Sequence, residues 1–392
     1  MPTPIWITGW EHGVNPNSNG TGLGNTIAGT PTVVSTPVNS GAYSLRMIGD
    51  GVTAQSVQKT FSSPPQIAVA RFYIRFSAYP SSATACMNFR LTTAATDVIL
   101  TVSTAGVISA KVGAGTSVNG PTLSLNTWYQ IGIRANITTA TWTCDWQIDG
   151  VAQTQATEAS RPTNDTFAYW RLGTSSTSST YTVFFDDAVL SATSADYPIG
   201  AGGTEALVPT SDGTHVAGTN VMEDNAGTDI GVTTAYDKID AVPMSTATTY
   251  IRQAAIGTGN YAEVVFGKLT RRKINIIGAN GLLAYTSGTT SANTGGCIMS
   301  KNNFVTDTTI WGKAGALSDY SDGSTASLFY KHAILDGVFN VDQINSLKCR
   351  LGYAGDATPN PYWVNLMVEV AYSEGLSGSK HINQSVNRAG TY

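Results

Sequence analysis

Three acidic residues stand where chemistry could be built. Glu11 follows the aromatic run Ile-Trp-Ile-Thr-Gly-Trp, and the pair Asp186-Asp187 interrupts an apolar stretch far along the chain. If Glu11 closes the first strand of a sandwich and Asp186-Asp187 lie in its last strand, the three carboxylates meet at one sheet edge. Their hard oxygens would suit a structural Ca²⁺ there. The competing reading is that they face solvent or take hydrogen bonds from loop backbone. A second set is aromatic: Tyr73 and Trp128 fall on strand faces opposite the expected core, where a ring can stack on a sugar or a protein partner.

Other chemistries find little to stand on. The four histidines, His12, His215, His332 and His381, lie in no recognisable Ser or Cys context, and no GxSxG elbow is present. The Gly-rich stretches at 20–24 and 113–115 are not set between a strand and a helix, which removes a phosphate cradle. No closely alternating Glu/Asp pair sits on a clear strand, as a glycosidase would want. Cys86, Cys144, Cys297 and Cys349 are far apart with no CxxC, so they read as reduced core thiols. The expectation is a protein that is not an enzyme and needs no cofactor beyond the candidate Ca²⁺.

The elements that must position these residues are strands. Ala70, Phe72, Ile74 and Phe76 alternate with Arg71, Tyr73 and Arg75, the period of two of a half-buried strand. Tyr129, Ile131, Ile133 and Ala135 repeat the pattern, as do Trp142, Cys144, Trp146 and Ile148. The last run ends at Asp149-Gly150, a pair suited to a two-residue turn, so a hairpin is predicted from Trp142 to about Thr154. Helical periodicity is confined to 341–348, with Ile344 and Leu347 three apart and Asn340 as a cap. Many short strands between Gly, Ser, Thr, Asn and Pro clusters predict an all-β chain of two tandem antiparallel β-sandwiches of jelly-roll type.

Alternation is lost over 191–215, which sets the expected organisation: a jelly-roll domain over 1–192, a linker over 193–215, a second sandwich over 216–374 and an arm over 375–392. Arg171-Leu172-Gly173 recurs as Arg350-Leu351-Gly352, each followed by an apolar strand, which is consistent with duplication. The arm offers only Leu376, Ile382 and Val386 as anchors, too few to bury by themselves, and reads as an assembly arm adding to a neighbour's sheet edge.

Composition narrows the classes further. Charged residues make up 12% of 392, about half the usual share, while Ser and Thr together number 88. Hydroxyls rather than charges keep such a surface wet. The formal net charge of −4 leaves no footprint for a nucleic acid or an anionic membrane, and apolar runs are too short to insert into a bilayer. The opening residues lack the basic and apolar regions of a secretory signal, so folding in the cytoplasm of synthesis is expected.

Taken in order, Ile7-Thr8-Gly9-Trp10-Glu11-His12-Gly13, Tyr43-Ser44-Leu45-Arg46, Ala70 to Phe76, Trp128 to Arg134, the Trp146 to Gly150 hairpin and Phe185-Asp186-Asp187 resemble a concanavalin-A-like, laminin-G-like jelly roll over roughly 5–192. Tyr197-Pro198-Ile199-Gly200, Pro209 and Asp212-Gly213-Thr214 are similar to the connector of tailed-bacteriophage minor structural proteins, and Val341 to Asn345 resembles the short helix near the end of their second β-domain. The resemblance implies a non-enzymatic virion component, a minor tail or capsid-decorating protein assembled in the host cytoplasm. Its implied partners are other virion proteins and further copies of itself as a homo-oligomer, with contact to host-surface glycans. The chain also resembles calcium-containing carbohydrate-binding modules in pairing a Glu after strand one with an Asp-Asp in the last strand, and that resemblance implies a structural Ca²⁺ at Glu11 and Asp186. The alternative is a carbohydrate-binding module or glycan-processing protein of the same fold; no sugar-binding triad can be matched, and Trp10 stands where Phe is commoner.

Overall fold

The structure, a computed structural model, describes residues 4–16, 26–92, 97–159, 161, 164–215, 222–224, 235–240, 242, 251–253, 261–269, 274–286, 295–304, 308–311, 329–335, 339–353 and 362–374. Within these the chain is almost wholly β, in four antiparallel sheets. In the N-terminal domain one sheet runs Val151–Ala152, Trp142–Ile148, Tyr129–Asn136, Ile67–Ala78, Thr180–Ser191, Ser44–Asp50 and Thr32–Val34, with Pro4–Thr8 added to Thr180–Ser191 and Ala156–Glu158 to Trp142–Ile148. Facing it, the other runs Val118–Thr122, Val107–Val112, Asp97–Val102, Thr84–Leu91, Phe167–Thr174, Gln55–Thr60 and Thr26–Ala28.

Alternation in the sequence builds this sandwich directly. Ala70, Phe72, Ile74 and Phe76 point into a core shared with Ile131, Ile133, Trp142, Cys144 and Trp146 from the same sheet, and with Phe89, Leu100, Ile108, Phe167 and Trp170 from the other. Trp170 ties the layers, with its ring centroid 5.3 Å from Trp6 in an edge-on contact and 6.0 Å from Phe72. The hairpin forms where the sequence places it: Asp149 and Gly150 both take positive φ (49° and 79°), and Val151 returns against Ile148.

The C-terminal domain is a smaller sandwich. Met222–Asp224, Ile251–Gln253, Tyr362–Glu374, Ile274–Thr286 and Phe329–Ile334 form one sheet, with Thr204–Leu207 added to Tyr362–Glu374. Pro209–Asp212, Tyr261–Phe266, Lys348–Tyr353, Gly295–Ser300 and Thr308–Trp311 form the other. Its core gathers Val264, Ile276, Met299, Ile344, Leu347, Leu351 and Leu366. The one α-helix among the described residues is Val341–Ile344, opened by a capping box in which Asn340 accepts from Gln343 N–H. No helix among them is long and apolar enough to cross a membrane. The repeated Arg-Leu-Gly segments occupy matching places, each in an inner strand of one sheet that precedes the long last strand of the other.

Two features of the organisation differ from the sequence reading. Thr204–Leu207 and Pro209–Asp212, inside the expected linker, pair with Tyr362–Glu374 and Tyr261–Phe266, so both belong to the C-terminal sandwich. Gly and Pro in that stretch mask strands too short to alternate visibly. Second, the face carrying Arg71 and Tyr73 is not wet along its whole length. Ile7, Val69, Val189 and Ile199 join Ile277 and Ala371 in a third apolar cluster that welds the domains. The backbone there approaches so closely that a Cβ on Gly278 would stand 2.6 Å from Pro4 Cγ. The arm and its anchors Leu376, Ile382 and Val386 lie outside the described residues.

Trp170→Ala should lower unfolding free energy by about 3–5 kcal/mol, because it removes the large ring that bridges the sheets and leaves a cavity. Urea denaturation followed by fluorescence and by far-UV circular dichroism measures it.

Candidate functional site: a buried acidic junction

The first and last strands of the N-terminal domain do lie together: Ile7 pairs with Val189 and Thr8 with Ala188. Along the same edge of Thr180–Ser191, residues 180–185 pair with Ser44–Asp50. Asp186-Asp187 therefore sits in the gap between two neighbours, where side chains and loops rather than a strand must satisfy it. On the opposite edge the register slips between Asp186, which faces Tyr73, and Val189, which faces Arg71. This bulge puts Asp187 at a φ of 51° and breaks the alternation that would send neighbouring side chains to opposite faces. Both carboxylates turn toward the same loop, Asn39-Ser40.

Hydrogen bonds saturate the pair. Asp186 Oδ1 accepts from Asp187 N–H at 2.8 Å, and its Oδ2 accepts from the amides of Asn39 (2.8 Å) and Ser40 (3.4 Å). Asp187 Oδ2 accepts from Asn39 Nδ2 at 2.7 Å. Its Oδ1 accepts from Ser40 Oγ (2.7 Å), Thr204 N–H (2.6 Å) and Thr204 Oγ1 (2.7 Å). Thr204 belongs to the C-terminal sandwich, so Asp187 already spans the junction.

Glu11 spans it as well. Its Oε2 accepts from Ala42 N–H at 2.7 Å, while its own N–H donates to Glu369 Oε1 at 2.8 Å, across 358 positions. Glu369 lies in Tyr362–Glu374 opposite Asn280, whose Nδ2 donates to the Ile7 carbonyl at 3.1 Å. Arg71, wholly buried, donates Nη1 to the carbonyls of Gly200 (3.2 Å) and Tyr372 (3.1 Å). Burial pushes its pKa down and the charges of Asp187 and Asp186 pull it back up. Glu11, Asp186, Asp187 and Glu369 are all 2% exposed or less.

Removal from water sets the protonation of this cluster. Burial pushes Glu11 up to about 9, helped by the charges of Glu369 and Asp187 and opposed by the Ala42 amide. Burial raises Glu369 to about 8 against the Glu11 and Gly9 amides. Asp186 stands well above the usual carboxylate range, through burial and the adjacent Asp187 charge.

The sequence reading thus names three members of a real constellation, and the structure adds Glu369, Arg71, Asn280 and Thr204. One signal for Glu369 was present: a single carboxylate inside the apolar run Leu-Met-Val-Glu-Val-Ala. At Asp186 and Asp187 the surroundings do not fit the Ca²⁺ implied for them, while Glu11 Oε1 is buried without a hydrogen-bond partner. Every oxygen of Asp186 and Asp187 faces a hydrogen-bond donor, whose proton repels a cation, and the Arg71 guanidinium adds a further positive charge. Among the described residues no group of three or more His, Cys, Asp or Glu side chains is disposed to hold a metal ion.

The aromatic pair fares differently. Tyr73 is half-buried and its hydroxyl accepts from Gly202 N–H at 3.3 Å, because the connector after Ser191 folds back across this sheet face. Gln130 Nε2 pins the same connector at the Ile199 carbonyl (3.3 Å). Trp128 is half-buried in the loop just ahead of Tyr129–Asn136.

Glu11 and Glu369 hold protons in the folded protein that the unfolded chain releases in the ordinary glutamate range. The unfolded state then binds fewer protons above that range, so their contribution to stability falls as pH rises from about 4.5 toward 8 and 9. Thermal melts between pH 5 and 9 should show this decline, and Glu11→Gln or Glu369→Gln, each mimicking the protonated acid, should flatten it and melt above wild type at pH 9. Asp187→Ala strips the partner from several buried donors and should cost about 3–5 kcal/mol. That loss should be the same in millimolar calcium and in chelator, and chelator should leave the wild-type melting temperature unmoved.

No protein-family model matches the sequence, and no curated protein matches it. Among solved structures the chain is similar to Trypanosoma rangeli sialidase in complex with sialic acid, at 8% identity and a TM-score of 0.33 over 43% of this chain and 30% of that one. It is similar to another sialidase at 10% identity and 0.34, over 49% and 19%. It is also similar to domain 4 of AbnA, a GH43 extracellular arabinanase from Geobacillus stearothermophilus in complex with arabinotriose, at 13% and 0.31, over 48% and 93%. The chain thus spans less than a third of the length of the sialidases it matches.

Proposed function

We propose that this chain is a non-catalytic structural subunit of a tailed-bacteriophage particle, placed on the tail or decorating the capsid and working beside other virion proteins and further copies of itself. The observation that carries the reading is the use made of the acidic cluster. The carboxylates best placed for acid-base work are out of reach of solvent and committed to joining two sandwiches. A substrate has no approach to them. A pair of sandwiches joined through an apolar cluster, with a charge-poor, Ser/Thr-rich sequence, suits a part that must persist in an assembly. The order of sequence segments resembling phage minor structural proteins supports the same class.

Contact with host-surface glycans belongs to this proposal as an accessory role. Trp128 is the better placed of the two aromatic candidates, since the Tyr73 hydroxyl is already engaged by the connector.

Mass spectrometry of purified particles should find the chain at fixed stoichiometry, whereas a free lectin or glycan-processing enzyme would be missing from them. On a glycan array, signal lost in Trp128→Ala with an unchanged melting temperature would place sugar contact at that ring. A reducing-sugar assay that shows turnover would overturn the non-catalytic reading.

A further inference from the structure

Two of the four cysteines are neighbours in space. Cys297 in Gly295–Ser300 and Cys349 in Lys348–Tyr353 lie on adjacent antiparallel strands of the C-terminal sandwich, with their sulfurs 3.1 Å apart. Both are buried, at 2% and 0% exposure, within the apolar core of that domain. This separation is shorter than the optimum of about 3.5–4.0 Å for two carbon atoms, and sulfur is the larger atom. The S–S bond of a disulfide is about 2.05 Å. The sulfurs therefore need to approach by only about 1 Å to bond.

Register explains why the spacing is not obvious from the sequence. Cys297 is opposite Leu351 and Cys349 opposite Met299, so the pair lies on a diagonal of the ladder. Diagonal Cα atoms are typically about 7–8 Å apart, at or beyond the limit for a disulfide. Strand twist shortens one diagonal at the expense of the other, and the sulfur positions identify this as the shortened one. Cys86 and Cys144 have no such relation to each other: they sit in opposite sheets of the N-terminal sandwich, with Cys86 Sγ hydrogen-bonded to the Leu100 carbonyl at 3.5 Å.

We propose that Cys297 and Cys349 form an oxidisable pair that closes to a disulfide on reaction with hydrogen peroxide, stapling two inner strands of the C-terminal sandwich. In the first step the sulfur of one cysteine attacks an oxygen of hydrogen peroxide; the S–O bond forms and the O–O bond breaks, the thiol is oxidised to a sulfenic acid, and the departing hydroxide takes the thiol proton and leaves as water. In the second, the other thiol attacks the sulfenic sulfur; the S–S bond forms, the S–O bond breaks, and the hydroxyl leaves as a second water with the thiol proton. The oxidant must be this small because both sulfurs are covered. Burial also holds the Cys297 thiol protonated, which slows the first step, so closure takes prolonged exposure.

The test uses the full chain, incubated with dilute hydrogen peroxide and digested without reductant. The expected result is a Cys297–Cys349 linked peptide in the mass spectrum, a fall from four to two titratable thiols in denaturant, and a rise in melting temperature on the order of 10 °C that dithiothreitol reverses. Reversal by dithiothreitol separates the disulfide from methionine oxidation, which that reagent does not undo. Cys86→Ser/Cys144→Ser should still cross-link, and Cys349→Ser should not. Four thiols persisting after long exposure, or sulfinic and sulfonic products on Cys297 with no linked peptide, would overturn the proposal, and both results are read on wild type without relying on any variant to fold.

Discussion

A carboxylate taken out of water must be given protons, hydrogen bonds or an opposite charge, and the junction between the two sandwiches is built to supply all three. Asp187 receives hydroxyl and amide donors from both domains, Arg71 brings a buried positive charge beside it, and Glu11 and Glu369 keep their protons. None of these groups could stay buried if the domains separated only slightly, because each borrows a partner from across the boundary. The apolar contacts of Ile7, Val69, Val189 and Ile199 with Ile277 and Ala371 lie beside the polar cluster and keep water from it. Apolar cover strengthens each polar contact, and satisfied polar contacts permit the cover.

The same constraint accounts for local irregularities nearby. Trp10 and Asp187 both adopt left-handed backbone, at φ of 59° and 51°, which non-glycine residues rarely do. The Asp187 turn is what brings two successive carboxylates toward one loop. Gly9 and Gly41 pass so close to Thr204 and Glu11 that a methyl group would collide at either position. The connector after Ser191 is likewise held flat on the sheet, by Arg71 at Gly200, Gln130 at Ile199 and Tyr73 at Gly202. What reads as a Gly- and Pro-rich link is therefore part of the packed interface and sets the relation of the two domains.

The acidic residues that stand out in the sequence, Glu11 and Asp186-Asp187, lie in the contact between the two sandwiches. Both oxygens of Asp186 and of Asp187 are occupied by donors, and Glu11, Asp186, Asp187 and Glu369 are all 2% exposed or less.

Alternation with a period of two was enough, from sequence alone, to establish the β class, the inward faces of Ala70–Phe76 and Trp142–Ile148, the Asp149-Gly150 turn and the Asn340 cap, because each depends on a few consecutive residues and on which side of a strand is apolar. Glu11 and Asp186-Asp187 could be grouped since first and last strands of a sandwich commonly adjoin. Tertiary structure alone decided the rest. Glu369 and Thr204 reach the cluster from the other domain, a contact over hundreds of positions that no local pattern encodes. The bulge at Asp187 overrides the alternation on which the sequence reading depends, and Arg71, polar and apparently outward, is buried because a second sandwich covers that face. Short strands at 204–212 draw their stability from the sheets they join, so their own residues read as linker. Whether a carboxylate serves as ligand, acid or brace is fixed by the donors that surround it, and those arrive only when the chain has folded.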